Sequence, residues 1–296
     1  MSTLFCVNCG KTYNPPIPLC PGCNSEPEIP NEIIDTELNR RRTVGVRKPL
    51  NFSCYPGEKA SLMMAISIIM TLVAVLGVIS FGMVILLILI NLFLIKADHI
   101  ASRGGMLPVN DRSYSVLHRI SKVSAYRLGI PLPEVYVTQN PDYNAYTKGF
   151  YKYGFIVMNS GMVQDLAPDE ILFVLGHEMG HMGLYHTSWL SLMAPGMSMG
   201  TTFIAAPVMR VIFNVWSVKA EYSADRAGLV ACKNVLSVVR CLLKLAGGVG
   251  ADSHVELPDI LSIKRSERED IIEGLTEYLG THPFIKNRIK MLLLYK

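Results

Sequence analysis

Residues Ala60 to Ile95 run for 36 positions without a charged side chain. As one helix they would measure roughly 54 Å at 1.5 Å per residue, against a hydrocarbon core of about 30 Å. Two short helices turning near Gly77–Gly82 fit better than one long tilted span, and the expectation is a transmembrane helical hairpin over residues 60–96. A core hairpin of a soluble protein is the other reading. Lys59 and the cluster Arg40, Arg41, Arg42, Arg47 and Lys48 precede the run, and Lys96 and Arg103 follow it. Cations at both ends predict a protein of the cell membrane with two spans and both flanks on the cytosolic side.

The rest of the composition agrees. Half of the residues are hydrophobic and only 18% are charged, with a mean hydropathy of +0.31, which points to contact with a lipid bilayer. The net charge of +4 comes from dispersed basic residues. The arginine cluster sits beside the apolar run, where a membrane flank explains it better than nucleic acid, so no nucleic-acid partner is expected. Residues 1–30 lack the charged start and apolar run of a secretory signal.

Four of the seven cysteines form Cys6-x-x-Cys9 and Cys20-x-x-Cys23. Two such turns offer four thiolates to one tetrahedral Zn²⁺, so residues 1–28 read as a zinc ribbon. Disulfides or a redox pair would use the same residues, but no βαβ pattern surrounds them. Thiolate ligands favour a reducing compartment, which also suits a cytosolic N-terminus. Cys54, Cys232 and Cys241 are scattered and read as reduced, structural thiols. Residues 29–59 read as a linker with little core, from their prolines and mixed charges.

The remaining segment, 98–296, mixes helix and strand. A helix is expected from Tyr114 to Leu128 and is ended by Gly129. Glu134–Thr138 and Gly154–Asn159 read as strands, with Asn140–Asn144 as a loop. Next comes Asp169–His181, which holds His177-Glu178-Met179-Gly180-His181. On a helix His177 and His181 leave one face a turn apart, where both can ligate a zinc ion. Glu178 can take a proton from a water held at such a metal. Pro168, Asp169 and Glu170 form a suitable acidic first turn. A buried helix with two satisfied histidines is the plainer alternative.

Zinc needs a further ligand. Gly183 and His186 are wrongly spaced for the three-histidine class. Downstream, Glu221 and Asp225 are i and i+4 on one helix face. Glu221 can bind the metal while Asp225 accepts a hydrogen bond from a ligand imidazole. Thr187–Met209 is free of charge, but a single crossing there would separate His181 from Glu221. Residues 187–217, broken by Pro195, Gly196 and Pro207, therefore read as short helices at the membrane surface or over the cleft. The methionines of Met193–Gly200 offer either a soft apolar surface or core filling.

In this order the motifs resemble the HtpX-like membrane zinc metallopeptidases, a family that includes the prenyl-protein endopeptidases. Asn144-Ala145-Tyr146-Thr147 is similar to that family's Asn-Ala-Phe loop. Gly161, His177–His181, Glu221-x-x-x-Asp225, and Thr281-His282-Pro283 with Arg288 follow in sequence. The resemblance spans about residues 98–296 and implies an α+β, zincin-like metallopeptidase domain, mostly helical with a small sheet. It further implies peptide hydrolysis on the cytosolic side of a membrane, acting on protein or peptide substrates. His177, His181 and Glu221 would hold zinc and Glu178 would be the general base. His282 would stabilise the oxyanion, Arg288 would support the site, and Asn144 would contact substrate. The ribbon is an appendage to this pattern.

The strand around Phe155, Ile156, Val157 and Met158 is expected to present an edge on which an extended substrate adds as a further strand. The overall expectation is a membrane-anchored zinc metalloendopeptidase with one catalytic and one structural Zn²⁺. A catalytically inert, membrane-tethered zinc-dependent binding protein is the competing class, and hydrolysis of a prenylated peptide is a third possibility.

Overall fold

The computed structural model describes residues 4–6, 12–13, 31–44, 50–79, 103–149, 154–193, 205–247 and 284–295. Near the N-terminus β1 (Leu4–Phe5) pairs antiparallel with β2 (Thr12–Tyr13), and Cys6 beside them is buried. Cys9, Cys20 and Cys23 lie outside the described residues.

Two helices come next, α1 (Asn31–Val44) and α2 (Glu58–Ile79). The coreless linker expected over residues 29–59 is corrected here. Ile34 and Leu38, one turn apart on α1, are buried in the main core, as is Phe52. Arg41 donates to the carbonyls of Ala125, Tyr126 and Ile130 at 3.2–3.4 Å. It thereby satisfies a helix C-terminus whose acceptors have no partner within the helix. A highly charged helix with only a thin apolar stripe gives little periodic signal, which is why composition suggested a linker.

Among the described residues α2 is the one helix long and apolar enough to cross a membrane. Met63, Met64, Ile68, Met70, Val75, Leu76 and Val78 are exposed along it. On its other side Ala65 and Ile69 pack with Phe213, Trp216 and Ala220. The second arm of the expected hairpin, residues 80–96, lies outside the described residues.

A four-stranded sheet follows, in the order β3-β4-β6-β5. Its strands are β3 (Leu107–Pro108), β4 (Glu134–Thr138), β5 (Ala145–Lys148) and β6 (Phe155–Asn159). β4 and β6 run parallel, Glu134 opposite Phe155 and Thr138 opposite Asn159. β5 runs antiparallel to β6, Ala145 opposite Met158. Between β3 and β4 lies α3 (Ser115–Leu128), closed by Gly129 at φ 76°, a left-handed position that glycine occupies without a steric cost.

After β6 come α4 (Ser160–Asp165) and α5 (Pro168–Gly183). Pro168 opens α5, where a missing N–H costs nothing, and Glu170 Oε2 accepts from the Ala167 N–H at 2.8 Å. Leu172, Phe173, Leu175 and Met179 bury α5 at the centre of the core.

Beyond α6 (His186–Met193), α7 runs from Ala205 to Cys232 as a 28-residue helix, followed by α8 (Val235–Gly247) and α9 (Ile285–Leu294). The short helices expected over residues 187–217 are thus partly corrected, since residues from 205 onward belong to α7. Pro207 lies in its first turn, where proline is tolerated, and so breaks nothing. Residues 194–200 of the methionine-rich run lie outside the described residues. Cys232 and Cys241 are buried thiols outside any disulfide, and burial pushes Cys232 up to about 12.

Candidate metal centre

The site is made where α5 crosses α7, and small residues let the two backbones approach. A Cβ on Gly176 would lie 2.5 Å from Ala231 Cβ and 3.0 Å from Gly228 Cα. One on Gly180 would lie 2.7 Å from Ala227 Cβ and 3.1 Å from Ala224 Cα. Gly176 and Gly180 are i and i+4, as are Ala224 and Gly228 and also Ala227 and Ala231, so matching seams close on each other. This pairing of small residues was a signal in the sequence that the motif reading passed over.

The contact brings three candidate metal-ligating side chains together. His177 Nε2 and His181 Nε2 are 3.2 Å apart. Glu221 offers Oε2 at 3.6 Å from His177 Nε2 and Oε1 at 3.5 Å from His181 Nε2. Zn–N and Zn–O bonds of about 2.0–2.1 Å in a tetrahedron give ligand edges of roughly 3.4 Å. One atom from each of the three side chains lies within 4.8 Å of the other two, close enough for all three to hold one metal ion.

The far ring nitrogens support the same reading. His177 Nδ1 lies 3.0 Å from Asp225 Oδ1, so its N–H donates to the carboxylate and leaves the Nε2 lone pair for a metal. Asp225 is 1% exposed. Burial alone would raise its carboxyl, but Arg288 and His177 outweigh that and hold it below the usual carboxylate range. Arg288, from α9, donates Nε to Oδ2 at 2.8 Å and Nη2 to Oδ1 at 2.6 Å. His181 Nδ1 lies 3.0 Å from His186 Nδ1. Burial lowers the His186 imidazole below the ordinary histidine range, which favours its neutral form.

Glu178 is buried at the same crossing. Thr147 of β5 donates its hydroxyl to Glu178 Oε2 at 2.7 Å and lies 3.1 Å from the Glu178 carbonyl oxygen. The adjoining loop is pinned by its backbone. The Asn159 N–H donates to Asn144 O at 3.0 Å and the Gly161 N–H to Asn140 O at 3.1 Å. A Cβ on Gly161 would lie 2.1 Å from Pro141 O, so only glycine allows that approach. Asn144 thus anchors the end of the loop through its carbonyl.

One expectation is overturned. Phe155, Ile156, Val157 and Met158 are fully buried, and β6 is paired on both sides by β4 and β5. They cannot offer an edge or line a cleft; β5 is the outer strand next to α5. His282 lies outside the described residues. Thr147 as the partner of Glu178, and Glu58 and His186 behind His181, carry no signal in the local motif.

Two imidazoles and a carboxylate converging beside a buried glutamate, between a helix pair and a small mixed sheet, are the constellation of a metallopeptidase. Residues 112–295, more than half of the chain, match the family model of peptidase family M48, and the chain belongs to that family. A relative in Arabidopsis thaliana, the plastoglobule-localized metallopeptidase 48, chloroplastic, is 33% identical over 152 residues. The match covers 49% of this chain and 44% of that relative, less than half of its length.

Proposed function

We propose that this chain is a membrane-anchored zinc metalloendopeptidase. The observation that carries the reading is the convergence of His177, His181 and Glu221, one ligand atom of each within 4.8 Å of the other two, beside the Glu178 carboxylate that Thr147 holds. Zn²⁺ at that triangle would lower the pKa of a bound water to about 7 and polarise the scissile carbonyl.

The chain's own residues do the rest. Asp225 and Arg288 would fix the His177 tautomer that leaves the Nε2 lone pair for a metal. The Glu178 carboxylate takes the proton of the attacking water and returns it to the leaving amine. Thr147, by occupying Oε2, leaves the other oxygen of Glu178 for that transfer. His282, carried by the family pattern, would donate to the oxyanion. An extended substrate would add to the β5 edge, Ala145–Lys148, and main-chain pairing of that kind reads shape more than sequence.

The apolar, exposed face of α2 supports insertion in a bilayer, and the uncharged run to Ile95 supports a second span. The distribution of cations supports a cytosolic site. Cys6, Cys9, Cys20 and Cys23 would hold a second, structural zinc.

Incubation with unfolded casein tests the proposal. Cleavage is expected, abolished by a chelator, and Glu178→Gln is expected to keep its zinc while losing activity by at least about 10². Undiminished cleavage by that variant would sink the mechanism.

A further inference from the structure

Glu58 and His186 have no part in the chemistry above, yet both are buried against the site, Glu58 at 4% exposure and His186 at 1%. His186 Nε2 lies 2.9 Å from Glu58 Oε1, and Glu58 Oε2 accepts from the Ser223 hydroxyl. With His181 Nε2 given to a metal, its ring proton would sit on Nδ1 and donate to His186 Nδ1, 3.0 Å away. His186 would then carry its own proton on Nε2 and donate it to Glu58. The donors would run one way, from His181 to the carboxylate.

A carboxylate in a first helical turn suits the helix start whichever way it points. Here it points inward, from the head of a helix that carries no charge beyond Lys59, and burying it there is costly without partners. The same helix rests on α7 through Ala65, Ile69, Phe213 and Trp216, and the Trp216 ring meets His186 edge-on at 5.8 Å. Glu221 and Ser223 lie on α7 as well. Seating α2 on α7 and orienting His181 therefore draw on one set of contacts.

We infer that Glu58 is a positioning residue of the metal centre, which orients His181 through His186 and so couples the seating of the apolar helix to metal binding. The inference rests on the reading of His177, His181 and Glu221 as zinc ligands. Coupling of this kind is reciprocal: metal binding tightens the seating of α2 as much as seated α2 tightens the metal.

The test uses the full chain in detergent. Zinc affinity is measured by chelator competition for the zinc that His177→Ala removes, with the visible spectrum of the cobalt-loaded protein and the melting temperature of the metal-free protein. Glu58→Ala is expected to bind zinc ten- to a hundredfold more weakly, on the order seen when such outer partners are removed, with displaced cobalt bands. Glu58→Gln keeps an oxygen acceptor for His186 and is expected to restore the spectrum and to bind within a few-fold of the unaltered chain. Unchanged affinity and spectrum in Glu58→Ala would overturn the inference. So would equal losses in both variants, matched by equal falls in the metal-free melting temperature. If His177→Ala removes no zinc, the reading of the site itself fails first.

Discussion

Arg288 grips Asp225 with two donors while Asp225 receives the His177 ring, so a residue near the C-terminus fixes the tautomer of a candidate ligand on α5. The pair is buried at both ends. Removing Arg288 would leave a buried carboxylate uncompensated, which typically costs about 3–5 kcal/mol. Arg288→Ala is expected to lower the unfolding midpoint accordingly. The sign of the pH effect follows from the depressed Asp225 carboxyl. Its stabilisation is fully present above the ordinary value of 3.8 and is lost as pH falls from there through the lower folded value. The stability gap between wild type and variant is therefore expected to close below about pH 4, measured by denaturant titration across that range.

Gly180→Ala sets two effects against each other. Replacing a helical glycine by alanine gains about 0.5–1 kcal/mol of backbone preference. Against this, the new methyl would meet Ala227 Cβ at 2.7 Å and Ala224 Cα at 3.1 Å, and forcing packed helices apart costs about 1–3 kcal/mol. Overpacking is expected to win, and because the same contact sets the ligand triangle, zinc affinity is expected to fall with stability. A variant as stable as wild type and equally tight for zinc would refute the seam.

Thr147→Val keeps the size and branching of the side chain and removes only the hydroxyl. A hydrogen bond to a charged group is worth about 1.5–3 kcal/mol, so kcat/KM on an unfolded substrate is expected to fall roughly 10- to 100-fold. Zinc content is expected to stay unchanged, because Thr147 touches Glu178 and none of the three ligands. Loss of zinc together with activity would instead assign Thr147 to holding β5 on α5.

What could be read from the residues alone was local. The histidine pair, the acidic start of α5, β4 and the glycine end of α3 each follow from a short pattern with one physical cause. The role of β6 was misjudged although its signal was present: Phe155–Met158 is continuously apolar, as a strand covered on both faces must be. Ala145–Thr147 reads in the sequence only as part of a loop motif, because four residues of mixed polarity carry almost no strand period. Glu58 was hidden by its position, just before an uncharged run whose first residue was taken as the helix start. The spacing of His186 speaks only against a ligand role, and its place one hydrogen bond behind His181 depends on α2, more than a hundred residues away.

The position of Glu58 at the head of α2 has a geometric consequence. A helix of 22 residues is about 33 Å long, close to the thickness of a bilayer interior. With α2 embedded as proposed, its first residue would lie at the waterline, and that residue is hydrogen-bonded to His186 beside the candidate metal centre. On that proposal the candidate metal centre would be held at a set height above the lipid. A soluble chain would have to come down to the surface to be cut, and a membrane protein would be reached only in the few residues that emerge from the bilayer.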